Sequence, residues 1–272
     1  MGILRCIFGS VILGCSSLLN ALDVTYGIGA KKEGSIPITQ VQFLGERCSG
    51  TNYLQNLIIK NFHFAPPYFA FSSKHFPVWL EGEWFQNVLP KYGENRFYRK
   101  NDHCLFIVIF RNPYDWLHSF CEKPYHTSQE FKKSVKKDFS KFIRATWDAE
   151  PDRKYVECNP RDGSPFKNVM QLRTARIRNM LAIGELVDNI YYLQYETVRD
   201  EPEKVIAEIA QLFGLEAADP FEPVLEHYKA SHVISDTFEV KEYPKISNDD
   251  LRYINRYLDK DLEKLIGYEL EN

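Results

Sequence analysis

The sequence has no unbroken run of 18 or more apolar residues, which excludes a protein crossing a membrane several times. It contains no low-complexity tract and no internal repeat, so neither a wholly disordered chain nor a repeat array is expected. Cysteines are few: Cys6, Cys15, Cys48, Cys104, Cys121 and Cys158, with no C-x-x-C pair. No histidine cluster accompanies them, so neither zinc nor any other metal is expected. They read as free buried thiols, with a single Cys121–Cys158 disulfide as the alternative in an oxidising compartment. No N-x-S/T sequon occurs, so glycosylation gives no support for a lumenal location. An excess of one charge is also missing, since 34 Lys and Arg face 37 Asp and Glu for a net −3. That balance argues against a general nucleic-acid binder.

What is present is ordinary for a soluble globular protein: 44% hydrophobic and 26% charged residues in a chain of 272. One large α/β domain is the expectation at this length. Residues 7–22 are apolar, follow Arg5, and are too short for a comfortable membrane span. They read as a signal peptide or short signal-anchor, with a buried N-terminal helix as the alternative. Cys6 stands where a myristoylation motif starting at Gly2 wants Ser or Thr. Residues 23–35 are Gly/Lys-rich and read as a linker. The division is therefore 1–35 for leader or anchor plus linker, and 36–272 for the domain. The leader places the protein in the secretory pathway, Golgi-like lumen or membrane-anchored, with the cytoplasm as the alternative. Membrane contact is expected only through this segment.

Residues 38–45 alternate and are β-branched, as a strand does. Leu54, Leu57, Ile58 and Phe62 repeat at helical spacing within 51–62. Cys104–Phe110 is continuously apolar, the mark of a strand buried on both faces of a parallel sheet. Asn112, Pro113 and Asp115 are the N-cap, first-turn and dipole residues of a helix over 113–120. Further on come a strand at Asn189–Gln194, a helix at Pro202–Phe213 and an amphipathic helix over roughly 249–265. Strands alternating with helices imply a three-layer α/β fold, its central sheet mostly parallel with helices on both faces.

The sharpest feature is Gly45-Glu46-Arg47-Cys48-Ser49-Gly50-Thr51-Asn52, between the first strand and its helix. Backbone N–H groups of such a loop, with the helix dipole, suit a phosphate or sulfate. The spacing G-x-x-x-x-G is that of the nucleotide P-loop. Thr51 and Asn52, however, occupy the positions of the lysine that reaches the outer phosphates and of the hydroxyl that binds Mg²⁺. A second constellation begins where the buried strand ends. Arg111 leaves its C-terminal edge, where open α/β sheets bind ligands, and Ser119 follows eight positions later. A planar guanidinium and a hydroxyl suit a terminal phosphate.

These residues together resemble the sulfotransferase family that uses 3′-phosphoadenylyl sulfate (PAPS). Ser49-Gly50-Thr51 is similar to its 5′-phosphosulfate loop, and Arg111…Ser119 to its 3′-phosphate motif. Tyr195-Glu196, then Pro202 and Leu212-Phe213-Gly214, are similar to its downstream Y-E…P…F-L-G region. The resemblance implies a P-loop-like core and PAPS as donor, with 3′,5′-ADP (PAP) as product and no metal. It implies that Arg47, Cys48, Ser49, Gly50, Thr51 and Asn52 line the 5′-phosphosulfate. Tyr53 and Tyr195 would lie near adenine, and Arg111 and Ser119 on the 3′-phosphate. One departure stands out. The family's loop cation immediately precedes Ser-Gly-Thr, whereas here that residue is Cys48 and the cation is Arg47. Either Arg47 reaches the leaving phosphate from one position back, or another basic residue replaces it.

Sulfuryl transfer is an in-line displacement that relies on positioning and electrostatics, with a base for the acceptor hydroxyl or amine. Lys74 and His75, in a segment similar to the family's K-T-H-x-P strand end, are the expected cation and base. Glu46 and Glu81 are the alternative bases, while His103 and His118 look structural. Lys132, Lys133, Lys136, Lys137, Lys141 and Arg144 surround an apolar stripe of Phe131, Val135, Phe139, Phe142, Ile143 and Trp147. From 123 to 147 seven positive side chains face two negative ones, a local +5, whereas 185–272 has nine against twenty-one, a local −12. The basic stretch is either a solvated helix face or a rim for an anionic acceptor, such as an acidic glycan or peptide. Lys241 and Lys245 would belong to a C-terminal lid, and one of Arg173, Arg176 and Arg178 would line the cleft. The acceptor is expected to be a carbohydrate or protein. Two other readings stand beside this one: a P-loop kinase or NTPase, and an inactive nucleotide- or glycan-binding member of the same fold.

Overall fold

The computed structural model describes residues 28–31, 37–64, 74, 75, 79, 102–151, 153, 154, 157–229, 232–235 and 237–271. A four-stranded sheet carries the fold, in the order β1-β4-β3-β2. Its strands are β1 (Ile28–Lys31), β2 (Gln40–Gly45), β3 (Cys104–Phe110) and β4 (Asn189–Gln194). β2, β3 and β4 run parallel, with Val41 opposite Leu105 and Val108 opposite Tyr192. β1 closes one edge antiparallel to β4.

β3 explains the layering. Its seven residues are all buried. Leu105, Ile107 and Ile109 pack with helix α1 (Thr51–Asn61) through Leu54, Leu57 and Ile58. Phe106, Val108 and Phe110 face the other way, onto Ile177 and Met180 of helix α5 (Val169–Ala182). A strand apolar at every position is thus covered on both sides. Between β3 and α5 lie α2 (Pro113–Glu122), α3 (Gln129–Val135) and α4 (Phe139–Arg144), sharing an aromatic core of Phe120, Phe131, Phe142 and Trp147. After β4 come α6 (Tyr195–Asp200) and α7 (Pro202–Phe213), then the hairpin β5 (His227–Lys229) and β6 (His232–Ser235). The chain ends in α8 (Asn248–Tyr257) and α9 (Lys260–Leu265).

Local signals act as expected at the start of α2, where the Asn112 side chain accepts the N–H groups of Tyr114 and Asp115, at 3.0 and 3.3 Å. Three expectations are corrected. Residues 28–31, read as linker, form the edge strand β1. The Phe131–Trp147 stripe is not one helix. Lys136 and Lys137 turn to positive φ, and the Asp138 side chain starts α4 by accepting Lys141 N–H. The last helix is likewise two, because Leu258 is extended and Asp259 caps α9 from its own side chain. Cys48, Cys104, Cys121 and Cys158 are free thiols, so Cys121 and Cys158 are not joined. The expected leader at 7–22, most of the linker, and Glu81 lie outside the described residues. Among the described residues no helix is long and apolar enough to cross a membrane.

Candidate functional site

The C-terminal ends of β2 and β3 deliver their loops to the same place. After Gly45 the chain turns tightly, and Ser49 bonds back to the Glu46 carbonyl through both its N–H (3.2 Å) and its hydroxyl (2.6 Å). Cys48 and Gly50 both take positive φ, 63° and 91°. Gly50 is required there twice over, because an added Cβ would stand 2.2 Å from the Tyr195 ring. The first N–H groups of α1 have no intrahelical acceptor, and Gly50 offers no side chain to cap them. This is the geometry of an anion cradle.

Arg111 reaches this cradle from β3. Its Nη1 donates to the Cys48 carbonyl at 2.9 Å, and its guanidinium lies 4.7 Å from the Tyr195 ring centre. Tyr243, from the segment before α8, closes the other side at 5.6 Å. Arg111 Nε is buried with no partner among the described residues. Ser119, two turns into α2, lies beside the Cys48 thiol, whose pKa burial pushes up to about 11 while Ser119 pulls it down. Arg111 and Ser119 therefore meet at one residue of the loop. Tyr53, on α1, packs against Phe238 with ring centres 4.8 Å apart.

Lys74 and His75 are adjacent and diverge. The Lys74 ammonium bonds Asn52 Oδ1 and stands 3.4 Å from Gln55 Oε1, at the start of α1. Burial pulls its pKa down to about 8, so an anion beside it would hold its charge. His75 turns into a cavity behind the loop, lined by Glu46, Arg47, Trp116, Phe120, Leu172 and Arg176. Its Nδ1 lies 3.1 Å from the Gly45 carbonyl, which only accepts, so Nδ1 carries the proton and Nε2 the lone pair. Burial, with the nearby cations Lys74 and Arg47, lowers its pKa to about 3 and keeps the ring neutral.

Arg47 is a correction. It does not face the cradle. Its guanidinium is buried, bonded through both Nη atoms to the Glu157 carboxylate and lodged by Phe120 and Trp147, 5.1 and 5.3 Å from their ring centres. Glu157 compensates the buried charge, and Trp147 Nε1 donates to it at 3.2 Å. Among the described residues the cation beside the start of α1 is Lys74 instead. Arg176 donates to the His75 carbonyl at 2.9 Å, which fixes the segment that carries both residues.

Arg173, in α5, is fully buried and has three partners. It donates to both Glu263 oxygens (2.6 and 2.8 Å), to Glu46 Oε2 (3.0 Å) and to the Arg111 carbonyl (2.9 Å). One guanidinium thus sits between two carboxylates. Glu263 holds it with two oxygens and Glu46 with one. Burial pushes the Glu46 carboxyl up to about 7, against the pull of Arg173. No local pattern marks Arg173, whose hydrogen-bond partners lie 62 to 127 positions away, and the Arg47 that pairs with Glu157 is 110 positions from it. His103 bridges Asp102 and Gln40, and His118 stacks on Phe139 and Tyr243. Lys241 and Lys245 are exposed, and Lys241 pairs with Glu122.

The family profile described as "Sulfotransferase domain" matches residues 98–261, more than half of the chain. The match includes Arg111, Ser119 and Tyr195-Glu196 and begins beyond the loop at Gly45–Gly50. No curated protein matches the chain. Among solved structures, a sulfotransferase from Alicyclobacillus acidocaldarius is 14% identical and covers 86% of this chain and 98% of its own, with a TM-score of 0.41.

Glu46 generates a pH prediction. Its carboxyl titrates near 7 in the folded chain against an ordinary 4.5, so the folded state keeps a proton that the unfolded chain has released. Its contribution is complete below pH 4.5, is lost as pH rises to about 7, and is then constant. His75 acts oppositely, costing stability as pH falls below 6.5. Relative to wild type, Glu46→Gln is expected to gain ~3 kcal/mol between pH 4.5 and 8. Urea unfolding at the two pH values checks this; an unchanged difference contradicts the buried, proton-holding carboxyl.

Proposed function

The chain belongs to the sulfotransferase domain family, and we propose that it moves the sulfuryl group of PAPS to a hydroxyl of a carbohydrate or protein acceptor. One observation carries this reading: Arg111 and Ser119, which suit a 3′-phosphate, converge on Cys48 of the loop that suits a 5′-phosphosulfate. Two anions held that close belong to one nucleotide carrying phosphate at both ends of its ribose. The unpaired Arg111 Nε and the uncapped start of α1 fit such a ligand.

In this account the first N–H groups of α1, the Thr51 hydroxyl and the Lys74 ammonium stabilise charge on the oxygen that leaves sulfur. Lys74 takes the part of the family's loop cation. Tyr195 and Tyr53 flank the base. His75, neutral with its lone pair on Nε2, accepts the acceptor's proton as the new O–S bond forms and the bond to the phosphate oxygen breaks. Glu46, in the same cavity, is the competing base. A carboxyl near 7 is closer in acidity to the task than an imidazole near 3.

For the acceptor we propose an anionic glycan or acidic peptide near the exposed Lys133, Lys136 and Lys137. Lys132, Lys141 and Arg144 contribute less, because Glu150, Asp138 and Asp250 pair with them. The kinase reading lacks its two phosphate-loop side chains, since Thr51 and Asn52 stand at those positions.

Thermal shift with 3′,5′-ADP, AMP and ATP/Mg²⁺, followed by sulfate transfer from labelled PAPS to an acceptor panel, tests the reading. Stabilisation by 3′,5′-ADP and label in an acceptor are expected. Stabilisation by ATP/Mg²⁺ without 3′,5′-ADP would sink it. Arg111→Ala should weaken 3′,5′-ADP binding by about a hundredfold and AMP binding only a few fold, measured by calorimetry. Equal losses would refute the 3′-phosphate role. His75→Ala should abolish transfer with 3′,5′-ADP binding intact; retained transfer in that variant hands the proton to Glu46.

A further inference from the structure

Arg111 is followed by a peptide group with an unusual environment. Its carbonyl oxygen, on Arg111, accepts from Arg173 Nη2 at 2.9 Å. Its N–H, on Asn112, donates to Glu196 Oε1 at 3.0 Å. Both polar ends of one peptide plane are therefore bonded to ionisable side chains from other elements. Each of those side chains is in turn held by the C-terminal region. Glu263 of α9 takes the Arg173 guanidinium with both oxygens. Tyr268, just beyond α9, donates its hydroxyl to Glu196 Oε2 at 2.7 Å. Arg173 and Glu263 are almost completely buried, and Tyr268 nearly so.

Two parallel chains of bonds result, Glu263–Arg173–carbonyl and Tyr268–Glu196–amide. Among the described residues none of the four side chains hydrogen-bonds the Arg111 guanidinium, which meets Cys48 and Tyr195. Their geometry fixes the plane from which the Arg111 side chain departs. A peptide held at one end can rotate about the backbone; held at both ends it cannot turn without breaking a charge-assisted bond. The desolvation of Arg173 and the Glu263 carboxylate is a large cost for a brace that serves packing alone.

We propose that Arg173, Glu196, Glu263 and Tyr268 are positioning residues that set the direction of Arg111, and that the C-terminal region thereby controls recognition of the nucleotide's 3′-phosphate. The proposal rests on the donor site described above. It predicts that loosening the brace costs discrimination between nucleotides rather than nucleotide binding as such. The loop meets the brace through Arg173, whose Nη1 donates to Glu46 Oε2 at 3.0 Å. Tyr268 and Glu196 make no direct bond to Ser49, Gly50 or the start of α1, so Tyr268→Phe is expected to leave the groups that contact the 5′ end in place.

The test is the ratio of Kd for AMP to Kd for 3′,5′-ADP, measured by calorimetry on the full chain as wild type, Glu263→Gln and Tyr268→Phe. That ratio belongs to the folded state, so a mere loss of stability leaves it unchanged. Glu263→Gln should lower it about tenfold, the equivalent of one weakened charge-assisted hydrogen bond. Tyr268→Phe removes only a hydroxyl and should lower it about threefold, with AMP affinity within about twofold of wild type. If Glu263→Gln does not fold, Tyr268→Phe decides. A wild-type ratio in folded Tyr268→Phe overturns the positioning role while the donor site stands. A wild type that does not prefer 3′,5′-ADP overturns the donor assignment and the brace with it.

Discussion

A single buried guanidinium ties this structure together. Arg173 has no exposed surface, and taking its charge out of water costs several kcal/mol unless every donor finds an acceptor. Glu263, Glu46 and the Arg111 carbonyl supply those acceptors. They come from α9, from the loop after β2 and from the end of β3. The cost of burial is offset only when these three pieces of chain are brought together in one arrangement. That arrangement puts the two loops at the sheet's C-terminal edge side by side, which is where the candidate donor site forms.

The same logic explains the inward turn of Arg47. A cation one position away from the family's loop cation has a choice between the cradle and the core. Here the core offers Glu157, two aromatic faces and a nearby second carboxylate, and the chain takes it. Lys74 stands at the start of α1 instead, against Asn52 and Gln55. Its neighbour His75 cannot share that face. Consecutive residues of this segment diverge, one towards α1 and the other into the cavity with Glu46 and Arg176. Lys74 and His75, adjacent in sequence, therefore face opposite sides of the loop. The acid–base balance of the cavity follows from burial: it drives the imidazole neutral and lets Glu46 keep a proton close to neutral pH.

Much of this was legible in the chain because the signals are local. Continuous apolar residues at Cys104–Phe110 require cover on both faces, and Asn112-Pro113 starts a helix by itself. The loop at Gly45–Gly50 and the Arg111–Ser119 pair follow from spacing along one strand–loop–helix each. What was not legible depends on partners far away in sequence. Arg173 and Arg176 are two of three arginines on one helix, and nothing nearby distinguishes them from exposed Arg178. Residues 28–31 read as linker because their pairing comes wholly from β4. The break at Lys136 and Lys137 escapes periodicity because both sides of it keep the same apolar face buried.

The most direct measurement is a crystal structure of the chain with 3′,5′-ADP. The account predicts the 3′-phosphate within hydrogen-bond distance of Arg111 and the Ser119 hydroxyl. It places the 5′-phosphate on the N–H groups at the start of α1 beside Lys74, with Arg47 still paired to Glu157. A bisphosphate bound away from Arg111, or an Arg47 that leaves Glu157 to contact it, would contradict the account.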